Sequence, residues 1–216
     1  MNSKMENKYR QNICKICFKN LNVSNSFSSF LSCKRVICDK CQKKFKDIDK
    51  HMKINGVDVW FLYEYDNNYR SLLYNYKGCY DIELSDVFLH KYVNSIRKLY
   101  KGYTIIYPPS SNEDNTSRGF IHMYEMVKCL KLPIEDMFYK TRKYNQSDHA
   151  FAMRRFIKDY IRLKPNVKIE NKKYLIIDDV FTSGSTIKTI IKILIDNGVS
   201  INNIKCIIVS KTNIVL

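Results

Sequence analysis

Lys173-Tyr-Leu-Ile-Ile-Asp-Asp-Val-Phe-Thr-Ser-Gly-Ser-Thr186 is the stretch that decides the fold. Tyr174 to Ile177 is a short β-rich run with no polar residue, the pattern of a strand buried on both faces, as in a parallel sheet. It leads into adjacent Asp178 and Asp179, then into small hydroxylated residues around one glycine. Beyond Thr186, Ile187, Ile190, Ile191, Leu194 and Ile195 recur at helical spacing, and Asn197-Gly198 supplies a C-terminal stop. A second apolar run, Cys206 to Val209, follows. The unit is β-loop-α-β.

That order predicts a chemistry. A loop of Thr182, Ser183, Gly184, Ser185 and Thr186 at a helix start offers free backbone N–H groups, hydroxyls and the positive end of the helix dipole. Phosphate is the ligand such a loop takes, and the glycine lets the backbone come close. Two carboxylates at the end of the preceding strand lie where open α/β sheets bind ligands, and they pair well with sugar hydroxyls. A phosphorylated ribose therefore fits the strip better than a bare phosphate. The spacing of a Walker loop is absent from the sequence.

The rest of the chain predicts an α/β protein with a largely parallel sheet. Val57 to Tyr65 reads as a strand or hairpin arm, about 68–77 as a helix, His90 to Tyr100 as an amphipathic helix, and Tyr103 to Tyr107 as the first central strand, ended by Pro108-Pro109. Residues 110–117 read as a loop on composition, Arg118 to Leu132 as one helix stopped by Pro133, and 140–150 as a polar segment without periodicity.

The 216 residues, 45% apolar with six Gly and four Pro, are enough for a real core and exclude disordered or collagen-like classes. Net charge is +16. Residues 1–56 hold thirteen basic and four acidic side chains and residues 140–173 eleven and three, so +9 and +8 fall in two blocks and about −1 on the other 126 residues. Such blocks suit nucleic acid, nucleotide phosphates or an acidic surface, although a compositional bias toward Lys, Asn, Ile and Tyr explains part of the excess equally well. The polar N-terminus and the lack of a long uncharged apolar run predict no membrane insertion and a cytoplasmic location.

Eight cysteines include the pairs Cys14/Cys17 and Cys38/Cys41, separated by twenty residues. This is the spacing of a structural Zn²⁺ site with four thiolates and no open position, a staple for a small module that cannot hold a core alone. Two redox or disulfide pairs are the alternative. Cys33 is the spare thiol, and Cys79, Cys129 and Cys206 read as small core residues. The four histidines make no ligand pattern.

Leu175 to Thr186 resembles the PRPP-binding motif of type I phosphoribosyltransferases, where PRPP is 5-phosphoribosyl 1-pyrophosphate. With the four-cysteine module the chain resembles the ComF family, whose members join an N-terminal Cys₄ finger to a phosphoribosyltransferase-like domain. Leu62 to Lys77 and Arg118-Gly119-Phe120 are similar to further family segments. Tyr107-Pro108-Pro109 and Ile121-His122 depart from the family's Pro-Val-Pro and Asn-Gln.

The resemblance implies a type I phosphoribosyltransferase-like α/β fold with a mainly parallel sheet flanked by helices, divided into a zinc module at 1–55 and a second domain at 56–216. It implies ribose binding by Asp178 and Asp179, 5′-phosphate binding by Phe181 to Thr186, and Mg²⁺ accompanying PRPP. Arg118, Asp178 and Asp179 are the candidate catalytic groups, joined by the basic residues Lys140, Arg142, Lys143, Arg154 and Arg155. The implied role is DNA uptake in transformation, with single-stranded DNA and a DNA-uptake helicase as candidate partners and Lys34, Arg35, Lys40, Lys43, Lys44, Lys46, Lys50 and Lys53 beside Phe45 as the DNA-binding block. Alternatives are an active phosphoribosyltransferase with an unknown acceptor and a PRPP-sensing regulator.

Overall fold

The computed structural model describes residues 13–21, 35–141 and 161–212. Within them a six-stranded sheet runs in the order β1-β2-β8-β7-β3-β4, formed by β1 (Asp47–Ile54), β2 (Val57–Glu64), β3 (Thr104–Ile106), β4 (Ile134–Glu135), β7 (Tyr174–Phe181) and β8 (Ile204–Lys211). Neighbours from β2 to β4 pair in parallel, and only the edge strand β1 pairs antiparallel, through a hairpin to β2. A separate two-stranded piece joins β5 (Phe138–Lys140) to β6 (Ile161–Leu163).

Alternation along the strands separates two cores, because successive side chains point to opposite faces. Tyr174 and Ile176 of β7 enter one with Ile106, Ile208 and Phe61, and Leu175 and Ile177 enter the other with Ile105, Ile207 and Val209. The helix α6 (Ser185–Asp196) covers the first face with Ile187, Ile190, Ile191 and Leu194, all buried. Each such side chain contributes about 1.5–3 kcal/mol. The second face lies under α2 (Asn67–Lys77), α3 (Val93–Leu99) and α5 (His122–Val127). Helices on both faces of a mainly parallel sheet are the architecture the sequence predicts.

The four-cysteine module sits on the second face. Cys14, Leu21, Ile37, Cys41 and Phe45 belong to the same apolar cluster as Tyr63, Tyr69, Leu72 and Phe88. The ring of Phe45 lies 5.1 Å from Tyr63 and 6.1 Å from Tyr69. Lys15 donates to Asp86 at 2.9 Å and fastens the first knuckle to the segment before α3.

Several local expectations change. Residues 110–117 are not a loop: α4 (Asn112–Arg118) forms there because Ser111 caps it, accepting from the Asp114 N–H at 3.1 Å, with Glu113 and Asp114 in the first turn. The single helix expected over 118–132 is interrupted by Gly119 in the left-handed region at φ 77°, so α4 ends and α5 starts afresh at His122. The helix expected from His90 begins with a tight 3₁₀ turn and becomes α-helical at Val93. Strand β7 runs four residues past the expected Ile177 and carries both aspartates within it.

Candidate functional site

Strand β7 connects through α6 to β8 on one side, and its other neighbour β3 connects through α4 and α5 to β4 on the opposite side. The boundary between β7 and β3 is therefore a topological switch point, where the two departing chains leave a crevice beyond the carboxyl ends of the strands. Asp178 and Asp179, the 182–186 loop, Ser110 after β3 and the start of α5 converge there.

The hydroxyl loop is built for close approach. Gly184 holds φ 70° and precedes the first residue of α6, whose initial N–H groups have no intrahelical acceptor. A Cβ at Gly184 would lie 2.6 Å from the ring of Phe181. Phe181 is itself buried and packs edge-on against Phe61 at 5.2 Å. Its ring is thus the floor of the loop, and what it offers the crevice is support. Thr182 and Ser183 are exposed, the Ser183 and Ser185 hydroxyls are 3.0 Å apart, and the Ser183 Oγ accepts from the Ser185 N–H at 3.4 Å.

The two aspartates are not equivalent. Asp179 is buried, and its Oδ2 accepts from Lys77 Nζ at 2.7 Å and faces His122 Nε2 at 3.4 Å. Burial opposes its ionisation, but the Lys77 charge and the His122 hydrogen bond outweigh it and hold the carboxyl below the usual range. Asp178 is half-buried, accepts from the Asp179 N–H at 2.9 Å, and is pushed up by burial and by the Asp179 charge. The pair thus carries one firmly ionised carboxylate and one that ionises reluctantly.

Around them Arg118 donates through Nε to the Lys77 carbonyl at 3.1 Å and points Nη1 at His122 Nδ1 from 3.4 Å. Ser110 Oγ lies 2.9 Å from the same nitrogen. Burial lowers the His122 pKa, with Lys77 and Arg118 pushing the same way against Asp179, which favours the neutral ring. Lys77, Arg118, Asp178 and Asp179 are residues that the sequence reading selects or quotes. His122 and Ser110 are not among its candidates. The only pointer to His122 in the sequence is its place in Ile121-His122, the departure from the family pattern that follows Arg118-Gly119-Phe120.

The thiols of Cys14, Cys17, Cys38 and Cys41 lie within 4.8 Å of one another, with Cys17 and Cys38 Sγ at 3.7 Å. Tetrahedral Zn–S bonds of 2.3 Å place sulfurs roughly 3.8 Å apart, so the set fits such an ion. Burial works against the Cys14 thiolate, yet the N–H groups of Cys38, Cys17 and Ile16 bring the thiol down to about 6, and the Cys41 N–H lowers Cys38. Burial and the neighbouring thiols push Cys41 up. Thiolates this crowded ionise together when a divalent cation neutralises them, and the cluster can hold a metal such as zinc.

Among the remaining expectations, Cys206 is buried and Cys129 partly so, but Cys79 is exposed just after α2 and is not a core residue. Phe45 is part of the core, so it is not open to stack on a base. Lys40, Lys43 and Lys44 stand exposed around α1 (Asp39–Gln42) and form no ion pair among the described residues, whereas Lys46 faces Asp66, Lys53 faces Asp58 and Arg35 faces Asp39. Lys140 ends β5 and is exposed. Cys33, Lys34, Arg142, Lys143, Arg154 and Arg155 lie outside the described residues. No helix among the described residues is long and apolar enough to cross a membrane.

A strand, an acid pair, a hydroxyl loop and a helix at the switch point of a mainly parallel sheet, joined to a four-cysteine module, define a phosphoribosyltransferase-like α/β protein. The chain is similar to two proteins named Competence protein ComFC. It is 22% identical to that of Bacillus subtilis (strain 168) over 190 residues, 75% of this chain and 79% of the relative. It is 23% identical to that of Streptococcus pneumoniae (strain ATCC BAA-255 / R6) over 209 residues, 86% of this chain and 94% of the relative. These similarities bear out the resemblance to the ComF family. No protein-family model matches the chain. Solved structures that overlap it include a hypoxanthine phosphoribosyltransferase from Staphylococcus aureus, 18% identical over 60% of this chain and 62% of the other with a TM-score of 0.36. A purine phosphoribosyltransferase from Pyrococcus horikoshii is 19% identical over 61% and 77%, with a TM-score of 0.37.

Proposed function

We propose that the chain binds PRPP at the β7–β3 crevice and acts in DNA uptake during transformation. The observation that carries the ligand is the union, in one crevice, of an acid pair and a hydroxyl loop at a helix N-terminus. In this reading Thr182, Ser183, Gly184, Ser185 and Thr186 take the 5′-phosphate on N–H and hydroxyl donors, and Asp178 and Asp179 take the ribose hydroxyls. Phe181 contributes its backbone position and holds the loop from below. Mg²⁺ accompanies the pyrophosphate, and Lys77 and Arg118 supply positive charge on that side of the crevice. Zinc fills the four-thiol cluster of a module at 1–55, and residues 56–216 form the ligand-binding part. The cytoplasm is the site of action.

The cellular role rests on the relatives' name, competence protein. Single-stranded DNA and a DNA-uptake helicase are the partners this role requires, and Lys40, Lys43 and Lys44 are the exposed cations that suit a phosphate backbone. Transfer of the phosphoribosyl group to an acceptor is the enzymatic extension of the same site, in which Arg118 would stabilise the departing pyrophosphate.

Calorimetric titration of the zinc-loaded chain with PRPP and Mg²⁺ tests the reading. Saturable binding is expected, weakened at least tenfold in Asp178→Ala/Asp179→Ala. Heat of dilution alone from the unsubstituted protein removes PRPP as the ligand. Pyrophosphate release with a nucleobase acceptor separates an enzyme from a protein that only binds.

A further inference from the structure

His122 is a buried polar side chain placed where two loops of the crevice meet. Its Nδ1 lies 2.9 Å from Ser110 Oγ, beyond the end of β3, and its Nε2 lies 3.4 Å from Asp179 Oδ2 on β7. Arg118 Nη1, which can only donate, also faces Nδ1 at 3.4 Å. Nδ1 is therefore the acceptor nitrogen, the ring proton sits on Nε2, and Nε2–H donates to Asp179. The backbone is fixed too, since Tyr76 OH donates to the His122 carbonyl at 2.6 Å. Tyr76 is fully buried in α2, one residue before Lys77, so the helix that presents Lys77 to Asp179 also anchors His122.

We propose that His122 is a positioning residue that spans the crevice, fixing Ser110 and Asp179 relative to each other through its two ring nitrogens. Lys77, Arg118 and Asp179 are the charged groups in contact with this unit, and Ser110 is its neutral end. A bound phosphoribosyl ligand would touch Asp179 and the loop of Ser110 rather than the imidazole. His122 sets the distance between the carboxylate that receives the sugar and the turn that borders the pyrophosphate side. The ligand part of this inference rests on the PRPP reading above, while the tautomer and the two contacts stand without it.

The side chains of asparagine and glutamine separate the two ends. An asparagine amide reaches the place of Nδ1 and can accept there from Ser110; a glutamine amide reaches the place of Nε2 and can donate to Asp179. Two measurements on the zinc-loaded full chain test the proposal. In the first, ¹⁵N spectra of imidazole-labelled protein without ligand are expected to show His122 as the neutral Nε2–H tautomer, with Nδ1 shifted by Ser110→Ala. A protonated ring, the other tautomer, or an unchanged Nδ1 overturns the proposal whether or not PRPP binds.

In the second, PRPP affinity is measured for His122→Asn and His122→Gln, each with and without Ser110→Ala. Ser110→Ala is expected to weaken binding about threefold or more in the unsubstituted and His122→Asn proteins and to have no effect in His122→Gln, where its partner is already gone. An equal effect of Ser110→Ala in all three backgrounds overturns the coupling, and so does wild-type affinity in His122→Leu. Absence of PRPP binding in the unsubstituted protein instead sinks the PRPP reading, and the tautomer measurement then decides His122 alone.

Discussion

Replacing Gly184 with alanine separates backbone strain from crowding in the hydroxyl loop. Gly184 holds φ 70°, where an L-residue costs roughly 1–2 kcal/mol. The new Cβ also meets the Phe181 ring at 2.6 and 2.7 Å. That ring cannot swing aside freely, because it is buried edge-on against Phe61, and overpacking of this kind costs about 1–3 kcal/mol. The sum centres on about 3.5 kcal/mol, or about 7–14 °C in Tm for a chain this long. Gly119→Ala is the internal control: φ is 77°, and nothing lies within 4 Å of its added Cβ. It should lose only the strain, about 1–2 kcal/mol. Thermal and urea unfolding of both variants, with PRPP titration, measures the difference. Equal destabilisation would show that Phe181 does not brace the loop. A Gly184→Ala protein that keeps full ligand affinity would show that the loop geometry is not what binds phosphate.

Adjacent aspartates should answer amide substitution with opposite signs. The Asp179 pKa is lowered in the fold, so its stabilisation is present above the unfolded value of about 3.9 and lost as pH falls through the folded one. Asp179→Asn should therefore destabilise at pH 7 and flatten the acid limb of the stability curve. The Asp178 pKa is raised, so its charged form costs stability as pH climbs past about 3.9, and Asp178→Asn should stabilise at pH 7 by on the order of 1 kcal/mol while weakening ligand binding. Denaturant melts between about pH 2 and 8 check both, and like signs at pH 7 would refute the assignment. Metal analysis of Cys38→Ser and Cys33→Ser should show zinc lost from the first and kept by the second. Chelation should lower Tm of the whole chain, because Leu21, Ile37 and Phe45 share the core of Tyr63 and Tyr69; an unchanged Tm would contradict that. If Lys40, Lys43 and Lys44 contact single-stranded DNA, replacing all three with alanine should reduce the salt slope of binding by about 2. An unchanged slope assigns the phosphates to other residues.

What could be read from the sequence was contiguous along it. Asp178 to Thr186 sits inside one strand-turn-helix unit, and each C-x-x-C pair forms its own knuckle, so spacing alone was enough. The Lys77–Asp179–His122–Ser110 group was hidden because its members are 12 to 102 residues apart and meet only when β3 and β7 become neighbours. No local pattern distinguishes His122 from the other histidines; its burial and its partners do. The motif places Phe181 among the ligand-binding residues, and its position at the end of a buried strand turns its ring under the loop, which no spacing in the sequence reveals. Helix α4 leaves no apolar periodicity in the sequence, because its seven residues bury nothing and depend on one serine cap.

Strand β1 has a consequence at the other end of the sheet. Its pairing register slips between Asp47 and Lys50, Asp49 adopts φ 45° and accepts from the Trp60 indole at 2.8 Å, and most of its side chains are exposed. Among the described residues no strand pairs with its outer side, and an edge of this length is a template on which a second molecule could extend the sheet. The irregular backbone and the charges of Lys50 and Lys53 spoil that template. Straightening the segment and removing its lysines would turn a terminated sheet into a growing one, and the product would be filaments or precipitate.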